Sequence, residues 1–235
     1  MIVDTKARER AILDAAADLI IRYGYDKTTM GDVAEAVGLN RALLYAHFSS
    51  KDDLLEALIA REMQRYGEIW VEHIEADPKG GTVASMHRSV LYALQHSPFM
   101  SAIATRDEGT FGKYLRKPGN LFEGMQTPSL TRDLLEAMQA AGAVRQGVNL
   151  AAMAFVMDLI SYGLVGVNWV PNLDPVPPYE ELMETIAEML DRMLTPEDGG
   201  NLEGGKAVIR QLADSARSYF AKQEQVRVQK VEAEK

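Results

Sequence analysis

The sequence predicts an all-α protein, with a small N-terminal domain of three short helices followed by a larger helical bundle. Two observations predict it. Apolar residues recur at helical spacing from one end of the chain to the other, and no segment alternates convincingly in the manner of a strand. Cap-forming residues also stand just ahead of the periodic segments, with Gly or Pro just behind them.

The first helix is expected over Lys6–Tyr23, where Ile12, Ala15, Ala16, Leu19 and Ile20 form one apolar stripe and Gly24 supplies a stop. Thr29 and Asp32 have the spacing of a capping box, so a short second helix begins after Thr29 and closes at Gly38. Asn40 caps a third helix, Arg41–Phe48, and Ser50 with Asp53 forms a second capping box at the head of a long helix, Lys51–Glu75. The cluster Asp77-Pro78-Lys79-Gly80-Gly81 is a turn. Further helices are expected over Thr82–His96, Pro98–Thr105, Pro128–Ala143, Asn149–Val170 and Tyr179–Leu194, with loop or broken helix over Asp107–Gly124. Pro171–Pro178 and Pro196–Gly205 read as connections, and a last amphipathic helix follows. These elements divide the chain into residues 1–50, a domain over 51–195, and a linker and C-terminal helix over 196–235.

Composition is that of an ordinary soluble globular protein, with 47% hydrophobic and 25% charged residues. The chain contains no cysteine, which excludes disulfides, thiolate catalysis and cysteine metal sites. His73, His87 and His96 lack the helical spacing of a metal pair, so neither metal nor cofactor is expected. Paired carboxylates, a Ser/His/Asp order and a phosphate-binding Gly loop are not recognisable, which argues against an enzyme. No basic leader opens the sequence, so a cytoplasmic protein is expected. The apolar run Ala151–Val170 has Asp158 near its middle, and a carboxylate there costs roughly 2.5–3.5 kcal/mol in a bilayer. A buried core helix is the better reading.

The net charge of −9 is unevenly distributed. Residues 206–235 carry seven Lys or Arg against four Asp or Glu, so the acid lies mainly in the middle of the chain. Phosphate contact depends on which face presents the basic groups, and the sum leaves a nucleic-acid partner open.

The second and third helices, separated by Gly38-Leu39-Asn40, must cross steeply, and Ala34 and Gly38 let their backbones approach. This is the helix-turn-helix arrangement, in which the second helix enters the major groove. Leu44 and Phe48 face the core, leaving Arg41, Ala42, Leu43, Tyr45 and His47 for the outer surface. Arg41 suits guanine, while Ala42 and Leu43 suit a thymine methyl. Lys27, Thr28, Thr29, Tyr45, His47 and Lys51 form a phosphate-facing rim, with Asn40 at the head of the reading helix.

The stretch TTMGDVAEAVGLNRALLYAHFSSKDDLLEALI, preceded by AILDAAADLIIRYGYDK, resembles the N-terminal signature of the tetracycline-repressor (TetR) family of bacterial regulators. The resemblance covers about residues 8–60. It departs at Asn40, where the family often has Ser or Thr, and at Ala46, where many members carry an aromatic or polar residue. The resemblance implies a transcriptional repressor that binds double-stranded operator DNA and is released by a small-molecule effector. It also implies a homodimer built on the last two bundle helices, here Asn149–Val170 and Tyr179–Leu194.

In the bundle, Asp158, Ser161, Tyr162, Asn168 and Trp169 share one face of an apolar helix and are candidate effector contacts. Satisfied hydrogen bonds in the core or in a dimer seam are the alternative use of these groups. A carboxylate in so apolar a helix needs a partner, for which Arg88, Arg106 and Arg132 are the protein candidates. A bundle that answers to a protein or lipid partner instead of a small molecule is the competing function.

Overall fold

The computed structural model describes residues 5–124, 130–165 and 177–233, and every regular element among them is helical. In chain order these are α1 (Thr5–Tyr23), α2 (Met30–Ala36), α3 (Arg41–His47), α4 (Lys51–Ala76), α5 (Val83–Gln95), α6 (Pro98–Thr105), α7 (Glu108–Phe111), a 3-10 turn (Gly112–Arg116), α8 (Leu121–Gly124), α9 (Leu130–Ala140), α10 (Leu150–Val165), α11 (Tyr179–Leu194) and α12 (Leu202–Ala233). Among the described residues no helix is long and apolar enough to cross a membrane.

The described residues form two compact units, each discontinuous in sequence. The first draws on Met1–Arg65, Pro98–Gln126 and Arg217–Lys235. Its core includes the stripe predicted for α1, with Ile12, Ala16 and Ile20 buried, together with Val33 and Ala34 of α2, Leu44 and Phe48 at α3, and Leu54, Leu55 and Leu58 of α4. The segment read as loop or broken helix is a run of short turns carrying a second apolar cluster. Phe111 meets Phe99 edge-on at 5.7 Å and Phe122 at 4.9 Å between ring centroids, and Tyr114 lies against Phe122 at 6.1 Å. Aromatic pairs at such offsets contribute beyond their buried area.

The second unit comprises Tyr66–Ser97 and Thr127–Ala216. Here α5 packs on α11 and α9 on α10. Its core holds Trp70 and Ile74 from α4, Met86 and Leu91 from α5, Leu135 and Met138 from α9, Met153 and Met157 from α10, and Leu190 and Leu194 from α11.

Two expected boundaries moved for identifiable reasons. The last helix begins at Leu202 and so absorbs part of the expected linker; Asn201 Oδ1 accepts from Gly204 N at 2.9 Å at its start. Gly204 and Gly205 disfavour a helix locally. They are used because a Cβ on Gly205 would lie 2.0 Å from the Gly81 carbonyl oxygen, so two backbones meet where no side chain fits. The second capping box also closes differently. Ser50 Oγ accepts from Asp53 N at 3.0 Å as expected, but the Asp53 carboxylate accepts from Ser49 N at 2.6 Å and Ser49 Oγ at 3.1 Å. Ser49 offers two donors to one oxygen, so the carboxylate reaches one residue further back than a standard box.

Candidate nucleic-acid interface

The α2–α3 pair is built by caps and one glycine. Thr29 Oγ1 accepts from Asp32 N at 3.2 Å while Asp32 Oδ2 accepts from Thr29 N at 2.8 Å, completing the predicted capping box. The Thr29 amide, followed by its hydroxyl, holds the Asp32 carboxyl below the usual range. At the other end Leu39 N donates to Ala34 O at 2.8 Å and Gly38 adopts φ +65, the left-handed geometry that favours glycine. Asn40 Oδ1 then accepts from Leu43 N at 2.8 Å and starts α3. Leu44 and Phe48, fully buried, anchor α3 by its inner face.

That anchoring decides what α3 presents. Arg41, Ala42 and Tyr45 are exposed, and Leu43 and His47 are half-exposed, so the predicted reading surface stands on one outward face. Tyr45 is 48% exposed despite its aromatic ring. Lys27 and Thr29 are exposed at the start of α2. The Arg41 guanidinium lies across Gly31, close enough that a Cβ there would sit 2.5 Å from Nη2. Asp32 feels its charge, so the side chain lies over α2.

Two residues expected on the rim belong instead to the support behind it. Thr28 is only 3% exposed, and its hydroxyl donates to Gly24 O at 2.9 Å, closing the end of α1. Lys51 directs Nζ inward to Tyr25 O at 2.7 Å and Thr28 O at 3.0 Å, 4.0 Å above the Tyr25 ring centroid. Burial lowers the Lys51 pKa, against the pull of Asp26. Its ammonium is therefore committed to carbonyls near the turn that precedes α2.

The partners of that support are distant in sequence. Tyr25 donates to Asp52 Oδ1, and Lys117 Nζ bridges both Asp52 oxygens at 2.7 and 2.6 Å. Burial, then the Asp52 hydrogen bond, pushes the Tyr25 hydroxyl up to about 12. Burial would raise Asp52 too, but hydrogen bonds from Lys117 and Tyr25 outweigh it and hold the carboxylate below its usual value. Tyr25 N also donates to Thr110 O at 2.7 Å, and Tyr114 Oη donates to Glu56 Oε1 at 3.0 Å. The segment from Asp107 to Lys117 thus braces the turn that positions Lys27 and Thr29. No local spacing connects Tyr25 with Lys117, which is why the sequence did not reveal them.

In the second unit, Asp158 is half-buried on α10 and accepts from Thr131 Oγ1 at 2.6 Å. The arginines considered as its partners lie elsewhere: Arg88 pairs with Glu184 at 2.6 Å, Arg132 with Glu136 at 3.6 Å, and Arg106 reaches Phe122 O at 3.5 Å. A neutral hydroxyl on the neighbouring helix takes that place, which a sequence search for opposite charge overlooks. Ser161 is half-buried on the same helix and Tyr162 lies one residue further on. Asn168 and Trp169 lie outside the described residues.

The family of bacterial regulatory proteins named for tetR matches residues 12–58, which contain the α2–α3 pair and its caps. The HTH-type transcriptional repressor Rv1474c of Mycobacterium tuberculosis is 29% identical over 164 residues, covering 68% of this chain and 81% of that protein. The ketosteroid transcriptional regulator KstR2 of Mycobacterium tuberculosis shares the fold with a TM-score of 0.53 at 16% identity, over 81% of this chain and 96% of that one. The transcriptional regulator FadR of Bacillus subtilis, solved in complex with stearoyl-CoA, does so with a TM-score of 0.54 at 19% identity, over 77% and 96%. Residues 12–58 thus match the tetR family of bacterial regulatory proteins, and the helical fold behind them is shared with these solved regulators.

Proposed function

We propose that the protein is a cytoplasmic transcriptional repressor that grips operator DNA as a homodimer and lets go when a small molecule enters its second unit. The outward face of α3, with Arg41, Ala42 and Tyr45 exposed above buried Leu44 and Phe48, carries this reading. A helix so presented fits a major groove, and its twin must lie one helical turn of DNA away, about 34–36 Å. Arg41, Ala42 and Leu43 read bases; Lys27, Thr29, Tyr45 and His47 contact phosphates.

Dimerisation has its own support. On α10, Phe155, Val156 and Leu159 are exposed at 65, 45 and 56%, with Ala152 and Gly163 on the same stripe. On α11, Met189 and Met193 are exposed as well. Apolar surface of this kind marks an interaction site, and closed twofold pairing is its commonest use in soluble oligomers. Asp158 and Ser161 on α10 are the described effector candidates. A relative that is a transcriptional repressor, and a fold relative solved with stearoyl-CoA, favour a regulator that answers to a small-molecule effector.

The test is selection of bound sequences from a random DNA pool by the purified full chain. The expected product is a palindrome with half-sites about 10–10.5 base pairs apart, or a multiple of that spacing. Recovery of an asymmetric site, or of no preferred site, refutes the reading. Leu159→Glu should give a monomer by light scattering and lose affinity for the two-half-site duplex.

A further inference from the structure

The polar groups buried in the second unit are all uncharged among the described residues: Thr82, Ser85, His87 and Ser89. Three are satisfied within the chain, since Thr82 Oγ1 donates to Lys79 O at 2.9 Å, Ser85 Oγ to the Asp77 carboxylate at 2.5 Å and Ser89 Oγ to Ser85 O at 2.8 Å. Two nitrogens break the pattern. Trp70 Nε1 on α4 and His87 Nε2 on α5 are buried with no hydrogen-bond partner among the described residues, in side chains only 7% and 4% exposed. A buried donor left unmade is costly and needs a reason. His87 lies one helical turn from both Val83 and Leu91, which belong to the core cluster that holds Trp70.

The surroundings show the reason. Trp70 belongs to the same apolar core as Val83, Met86 and Leu91 of α5, and to Met138, Met153 and Met157 of α9 and α10. Methionine walls reshape around a guest at little cost. Tyr66 lies one turn before Trp70 on the same face of α4. Burial alone holds its hydroxyl well above the usual tyrosine range.

We infer that this core is a binding site for an uncharged, largely apolar molecule with a carbonyl or hydroxyl oxygen, held by hydrogen bonds to Trp70 Nε1 and His87 Nε2. The indole N–H only donates, so the ligand must offer it an acceptor. Burial holds the His87 pKa down to about 4, with Arg88 assisting, so the ring is neutral at physiological pH and its Nε2 either donates or accepts. An ionised guest would enter a core whose buried polar groups carry no countercharge, and an unpaired buried charge is far costlier than an unpaired dipole. The half-buried Asp158 carboxylate is already engaged by Thr131. The ligand class rests on the proposed reading that this unit receives the effector.

The two tryptophans are Trp70 and Trp169, so the full chain with Trp169→Phe reports Trp70 fluorescence alone. Three probes of matched chain length are titrated: 2-decanone, decanoate and decylamine. The expected result is a saturable Trp70 response to 2-decanone, weakened about tenfold by His87→Leu, as loss of one good hydrogen bond implies. Decanoate and decylamine should bind at least about tenfold more weakly than the ketone. A second measurement needs no ligand: His87→Leu removes an orphaned buried group, so the unliganded protein should melt no lower than the parent. Absence of a saturable response to 2-decanone, a preference for either ion, or a lowered melting temperature in His87→Leu overturns the inference. The same probes are added to the complex with the selected operator DNA. A His87-dependent Trp70 response without DNA release leaves the site standing and refutes the effector reading. DNA release without a Trp70 response does the reverse.

Discussion

Replacing Gly24 tests the bracing of the proposed DNA-reading head directly. Gly24 ends α1 at φ +82, and a Cβ added there would meet the Gly109 carbonyl oxygen at 2.7 Å. Two costs combine in Gly24→Ala. Placing an L-residue in the left-handed region costs about 1–2 kcal/mol. The contacting atom is backbone, so the chain must move, and overpacking of that kind costs about 1–3 kcal/mol. The sum, about 2–5 kcal/mol, corresponds to roughly 2–4 °C of melting temperature per kcal/mol in a chain of this size, and a fall of about 10 °C is expected. Gly67, inside α4 with nothing within 4 Å and no positive φ, is the control. Gly67→Ala should gain about 0.5–1 kcal/mol from helix propensity and melt slightly higher. Calorimetry and circular dichroism read both. DNA affinity should fall in Gly24→Ala alone, because Gly24 O accepts from Thr28 N and Oγ1 at 3.2 and 2.9 Å and so positions the turn before α2. A Gly24→Ala protein that melts like its parent and binds DNA like it refutes the argument that this close approach braces the head.

Arg41→Ala should relax preference at one base in each half-site, a loss of about 1–3 kcal/mol in discrimination, measured by repeating the sequence selection. Gly31→Ala should change that same preference without lowering the melting temperature, since the Cβ displaces only the flexible end of Arg41. Tyr25 predicts a signature in alkali. With its hydroxyl raised from 10.0 to about 12, the protonated form favours the fold fully below about pH 10, and that contribution is lost as pH climbs through about 12. Tyr25→Phe should therefore flatten the fall in denaturant midpoint across that window, and an unchanged slope would count against the buried hydroxyl. His87 should behave in the opposite sense. Its depressed pKa makes stability complete above about pH 6.5 and falling toward pH 4 as the buried ring is forced to protonate, a loss that His87→Leu should reduce.

The helices, their order and the outward face of α3 were legible in the sequence because the interactions that determine them are local. A capping box needs residues three apart, as at Thr29 and Asp32, and a helical stripe needs residues three and four apart, as at Ile12, Ala16 and Ile20. Burial of Leu44 and Phe48 then follows from the same spacing and turns Arg41, Ala42 and Tyr45 outward. Tertiary structure decided whatever depends on groups far apart in the chain. It drew Lys51 into the carbonyls of Tyr25 and Thr28, and it brought Lys117 to Asp52 across 65 residues. It also placed α12 from Leu202 despite two glycines in its first turn, because Gly205 must pass the Gly81 backbone. Finally, it left Trp70 Nε1 and His87 Nε2 without partners among the described residues. A sequence displays which groups can donate and accept, but only packing determines which of them go unanswered, since desolvation is imposed by neighbours that arrive from every part of the chain.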